Sequence, residues 1–122
     1  MPDMKHLAGR YVREDIVFTK PDVIPPRRYL DVVLFPDGRY LCEWREGYAA
    51  RDELGNPYRQ ESGHASLLKN SMLRLGKQDY QPVRFAQGIL LVEAKKLGEL
   101  RQQLKKKVSS EQITRYNLWR QR

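Results

Sequence analysis

The residues that could carry covalent or acid–base chemistry are scarce in this chain. Histidine occurs twice, as His6 and His64, and cysteine once, as Cys42. The densest grouping is Glu61-Ser62-Gly63-His64, an acid, a hydroxyl and an imidazole within four positions. In an extended strand Ser62 and His64 point to the same side, so a hydroxyl–imidazole contact is geometrically open to them. Nucleophilic triads, however, are assembled from distant segments around strained turns, and no Gly-x-Ser-x-Gly elbow occurs. The stretch reads as a solvated strand with a surface histidine, and an enzyme built on Ser62 and His64, or on Glu43, is the least favoured reading. His6, His64 and Cys42 lack the short ligand spacings of zinc, and Asp52-Glu53 is no calcium loop. Neither Leu54-Gly-Asn-Pro-Tyr58 nor Arg74-Leu-Gly-Lys77 has the glycine cradle of a phosphate loop. The expectation is a non-catalytic protein with no metal and no cofactor.

Binding is the chemistry that remains, and charge points to where. The chain of 122 residues carries a net charge of +8. Residues 95–122 hold nine basic and two acidic side chains, so nearly all of the excess lies there. Within them Leu97, Leu100, Leu104 and Val108 recur at helical spacing, ringed by Lys96, Glu99, Arg101, Lys105, Lys106 and Lys107. Arg101 and Lys105 to Lys107 are the candidate electrostatic surface, for an acidic protein partner or for nucleic acid. Tyr116 and Trp119 beside Arg115, Arg120 and Arg122 add the aromatic content of a nucleic-acid site, although no RNA-recognition or helix-turn-helix signature occurs. A second candidate is an interior lined by Tyr11, Phe18, Tyr29, Phe35, Tyr40, Trp44, Phe85 and Trp119. Tyr40, Trp44, Phe85 and Tyr116 are the residues expected to touch a small apolar ligand there, the alternative being a plain core.

The elements that must position these residues are short. Residues 10–18 form an imperfect strand with Val12, Ile16 and Phe18 on one face. Prolines then bar a helix between residues 20 and 26. Residues 28–46 predict a β-hairpin, with Pro36-Asp37-Gly38 as its turn and Tyr40, Cys42 and Trp44 on the buried face. Residues 47–57 read as a loop with a helical turn at 49–54, and residues 58–68 as a polar strand. Residues 72–75 follow, then a second hairpin whose strands hold Val83 and Phe85 and residues 89–92. Residues 95–108 predict a helix, with a longer helix starting at Leu90 left open. Residues 113–119 predict a final strand with Tyr116 and Leu118 on one face. The fold class is therefore mainly β with one helix (α+β), a single domain over residues 1–122. It is an antiparallel meander of about eight strands, forming a small barrel or half-barrel, with a basic amphipathic helix near the C-terminus. No apolar run approaches a membrane span and no secretory leader pattern opens the chain. With its single cysteine, the chain is expected to be a reduced, cytoplasmic protein with no membrane partner.

The order of residues also resembles a known family. His-Leu-Ala-Gly-Arg-Tyr-Val (residues 6–12) is similar to the opening Gly-x-Trp/Tyr strand of lipocalin-like (calycin) barrels. The Phe-Pro-Asp-Gly-Arg-Tyr hairpin, the closing Tyr-Asn-Leu-Trp-Arg and a helix before the last strand look alike as well. The resemblance implies that Tyr11 packs at the barrel floor against a late arginine, Arg115 or Arg120. It also implies a cup that takes an apolar ligand or a partner segment. Together these readings predict a lipocalin-like binding protein for a small apolar ligand or a protein partner. The alternative is a nucleic-acid-binding module using the basic helix.

Overall fold

Positive φ at Gly38 (96°) lets residues 35–38 reverse direction, with Gly38 N–H donating to Phe35 O at 2.9 Å. Asp37 completes the turn by accepting from Arg39 N–H at 3.1 Å. This backbone N–H holds the Asp37 carboxyl below its ordinary value. The computed structural model describes residues 3–16 and 21–121. Its elements are helix α1 (Met4–Leu7), strands β1 (Gly9–Ile16), β2 (Arg27–Leu34), β3 (Arg39–Gly47), β4 (Arg59–His64), β5 (Ser66–Leu67), β6 (Leu73–Leu75), β7 (Gln78–Phe85) and β8 (Gly88–Glu93), helices α2 (Leu97–Lys105) and α3 (Ser110–Arg115), and strand β9 (Leu118–Gln121). The sheet order is β4-β3-β2-β1-β9-β8-β7-β6-β5, antiparallel throughout, and it curls into a nearly closed barrel of nine strands. The mainly β, antiparallel architecture read from the sequence is thus the one observed. Phe18 lies outside the described residues.

Pleat alternation builds the core. Leu34, Val32 and Leu30 of β2 face Tyr40, Cys42 and Trp44 of β3 in register. With Leu7, Tyr11, Leu73, Leu75, Tyr80, Ile89, Leu91 and Leu118 they fill the barrel. A second apolar cluster lies outside it, where Leu90 and Val92 of β8 are covered by Leu100 of α2 and Ile113 of α3, with Phe85 and Trp119 at the margin. Residues 89–92 are thus apolar on both faces, and each fully buried side chain contributes about 1.5–3 kcal/mol. Double burial is why no alternation marked this strand, and it settles the segment as strand rather than the start of a longer helix. Gly88 is required where Trp119 crosses, because a Cβ there would collide with the indole ring.

The end of the chain departs from expectation. The helix predicted over residues 95–108 is shorter, a 3-10 turn at Ala94–Lys96 followed by α2. The strand expected over residues 113–119 begins only at Leu118, and residues 110–115 form α3 instead. Ser109 caps α3 by accepting from Gln112 N–H at 3.2 Å. Ser-x-x-Gln is a capping-box pattern readable in the sequence, but the β-branched Ile113 and Thr114 suggested a strand. A helical turn does form at Arg51–Glu53.

Candidate functional site

The barrel interior is one of the two sites expected from the sequence, and side chains fill it. At one end α1 forms a floor. Tyr11, wholly buried, donates its hydroxyl to Leu7 O at 2.6 Å. The Arg120 guanidinium lies 5.7 Å from the Tyr11 ring and donates to His6 O at 3.0 Å and to Ala8 O. Of the two late arginines, Arg120 therefore meets the floor tyrosine. Arg115 instead pairs on the outside with Glu14 (3.8 Å) and Glu111 (3.3 Å).

Register places the rest. Arg13, Leu30, Trp44 and Arg59 align across β1 to β4, one row nearer the opposite end than Tyr11, Val32, Cys42 and Glu61. Arg59 stacks on Trp44 at 4.5 Å and pairs with Glu61 at 3.3 Å. Arg13 pairs with Glu93 at 3.3 Å and with Asp15 at 3.2 Å, and Glu93 also receives Lys95 and Lys96. This end is stoppered by ion pairs over an indole. Burial pushes Tyr11 and Tyr80 up to about 12 and the Cys42 thiol up to about 11. Cys42 is thus a protonated core thiol at neutral pH, a poor nucleophile.

Of the four residues expected to line a ligand cup, only Tyr40 and Trp44 belong to the interior, Tyr40 buried and Trp44 half-buried. Phe85 points outward against the helices. Tyr116 caps the C-terminus of α3 and borders a shallow dent with Lys96, Glu99 and Gln103. Tyr29 and Trp119 also face outward, and Phe35 is exposed. Parity explains Phe85, Tyr29 and Trp119, each one residue off the inward set of its strand, whereas Tyr116 ends a helix and Phe35 lies in the turn after β2. Ser62 and His64 are both exposed on β4. Among the described residues, no group of three His, Cys, Asp or Glu side chains could hold a metal. No described helix is long and apolar enough to cross a membrane.

The basic helix presents a different surface. Lys107 takes φ 57°, and its N–H donates to Leu104 O while Val108 N–H donates to Gln103 O. These two bonds make a Schellman end, with lysine where glycine is usual. Among the described residues, none of Arg101, Lys105, Lys106 and Lys107 has a carboxylate within 4 Å. Between them Leu104 is 48% exposed, about one turn from Arg101 and next to Lys105 in sequence.

Sequence reasoning missed a third feature on the outer face of β1–β3. Asp31, its side chain 5% exposed, receives Arg10 at 3.0 Å, Arg45 at 3.3 Å and Arg51 at 3.7 Å. Arg45 also reaches Glu43, which sits directly opposite Asp31, so one guanidinium relieves a like-charge pair. Arg51 ties the 3-10 turn down onto the sheet. The signal available was a lone acid inside Leu30-Asp31-Val32-Val33, a position where a carboxylate needs partners. A groove of about 680 Å³ runs beside this cluster, with Val12, Tyr29 and Trp119 among its lining. Each of its arginines is already paired.

Comparison with known proteins returns nothing: no family model, no curated protein and no solved structure matches the chain.

Proposed function

We propose that this domain is a non-catalytic binding module of lipocalin-like kind whose partner is an acidic, partly apolar segment of another protein, held on α2. The observation that carries the reading is the group Arg101, Lys105, Lys106 and Lys107, unpaired with any described carboxylate and arranged around exposed Leu104. An apolar centre with a charged rim is the anatomy of a small protein-recognition patch. The lipocalin-like part is supported by Tyr11 under Arg120 and by helices preceding the last strand. A small apolar ligand is the weaker reading, because Leu, Tyr and Val side chains occupy the barrel and Arg59 covers Trp44. Nucleic acid is weaker too, since Phe85 and Trp119 are engaged in packing against the apolar cluster beneath the helices.

The test is fluorescence anisotropy with a labelled peptide of alternating glutamate and leucine, alongside mixed-sequence RNA and DNA. Peptide binding should weaken with salt and fall about tenfold in the double variant Arg101→Glu, Lys105→Glu, and again in Leu104→Asp. Tighter binding to RNA or DNA than to the peptide would replace this reading with the nucleic-acid one. Peptide affinity untouched by all three substitutions would overturn it.

A further inference from the structure

A second set of unpaired cations lies at the opposite extreme of the barrel from the ion-pair stopper. Between α1 and the lower ends of β7 and β8 a cleft of about 830 Å³ opens, lined by Lys5, His6, Leu7, Val83, Arg84 and Ile89. A smaller depression of about 290 Å³ adjoins it, sharing His6, Arg84 and Ile89 and reaching Arg120. Among the described residues the only carboxylate in either lining is Asp3, and its Oδ1 already accepts from His6 N–H at 2.8 Å as the cap of α1. Arg120 spends one nitrogen on the His6 and Ala8 carbonyls. Lys5 and Arg84 have no carboxylate within 4 Å among the described residues. The groove beside Asp31 is the internal control: it too is arginine-lined, but its charges cancel within the fold.

The adjoining depression is bordered by an unusual turn. Ala86 and Gln87 join β7 to β8 with φ of 44° and 63°, a geometry normally left to Asn-Gly or Gly-Gly. Side chains in that region cost about 1–2 kcal/mol each, and such strain gathers at ligand clamps. Arg84 sits two residues before this turn. The apolar part of the lining comes from Leu7, Pro82, Val83 and Ile89. A ligand that satisfies both parts has an oxyanion for Lys5 and Arg84 and a short hydrocarbon or aryl body for the apolar lining.

We infer that the floor cleft is a binding site for a small amphipathic oxyanion, a carboxylate or a phosphate monoester on a compact apolar body. The site is independent of α2 and of whatever α2 binds.

Isotope-edited NMR titration of the whole domain tests this, with octanoate, phenyl phosphate, inorganic phosphate and octylamine as probes. Octanoate and phenyl phosphate should shift signals of Leu7, Val83 and Ile89, and the tighter of the two identifies the headgroup. Inorganic phosphate should bind more weakly than phenyl phosphate, and octylamine should leave these signals still. The double variant Lys5→Gln, Arg84→Gln, whose side chains are exposed, should keep the spectrum of a folded barrel and lose about tenfold in affinity. The pair Arg101→Glu, Lys105→Glu should leave octanoate binding unchanged, which separates this site from the α2 reading. Octylamine binding as well as octanoate, no shift with either anion, or unchanged affinity in the Lys5, Arg84 double variant would each overturn the inference.

Discussion

The outer face of β1–β3 and the end of α2 are both strongly basic, yet their cations do opposite things. On the sheet face, Arg10, Arg45 and Arg51 converge on Asp31, while Arg27 meets Glu14 at 3.0 Å. On α2, four cations stand in solvent with no described carboxylate in reach. The first region uses charge as a fastener between a loop and a sheet, and the second leaves it on offer. Charge count alone would rank the regions alike. What separates them is a buried acid, which lowers its own desolvation cost only by gathering guanidinium groups around it.

The largest way to break this comparison is to remove the fastener. Asp31→Asn leaves three arginines facing a neutral amide. It should cost about 3 kcal/mol in urea denaturation, toward the low end for buried pairs because Arg10 remains largely in water. A loss near zero would mean that the face is only decorated with arginine. The next effect concerns the interior on which the paired face sits. Tyr11 and Tyr80 ionise at about 12 when folded against an ordinary value of 10.0. Their contribution is complete below pH 10. Above that the unfolded chain loses their protons while the folded chain keeps them, so stability falls until about pH 12. Each tyrosine should account for about 2 kcal/mol of that fall, and Tyr11→Phe or Tyr80→Phe should flatten the alkaline limb. An unaltered limb in both variants would place the alkaline loss elsewhere.

Smaller effects sharpen the other side. Lys107→Gly relieves a left-handed residue at the Schellman end and should raise stability by about 0.5–1 kcal/mol, read as an increase in melting temperature. The same substitution should weaken binding of the acidic peptide, so stability and binding move apart. Arg101→Glu with Lys105→Glu should change stability by less than about 0.5 kcal/mol, because neither side chain has an ion-pair partner to lose among the described residues. A larger loss would show that the α2 surface is also fastened to the fold.

Much of the barrel was legible in the residues themselves. Pro36-Asp37-Gly38 between two runs of alternating apolar residues announced the first hairpin, and Tyr40, Cys42 and Trp44 do face inward. The leucine stripe marked α2, although a 3-10 turn takes its first residues. Residues 89–92, read as the second strand of a hairpin, are that strand, and their burial on both faces excludes the longer helix left open from Leu90. The segment that misled is 113–119, where Ile113 and Thr114 are β-branched in a helix that Ser109 caps, so a local capping bond outweighed strand propensity. The candidate site divided the same way. The basic residues of α2 were found because they are adjacent in sequence. Asp31 with its three arginines, and Lys5 sharing a cleft with Arg84, were not, because each set is drawn from separate elements.

By itself, then, the sequence determined the antiparallel plan, the hairpin turn and the place where positive charge accumulates. These follow from backbone geometry and from periodicity along one segment. The tertiary structure alone decided which late arginine covers Tyr11, which aromatics turn inward, and which cations are already spoken for. Those outcomes depend on distances between strands far apart in the chain. An ion pair forms or fails over a few ångströms that no spacing in the sequence records.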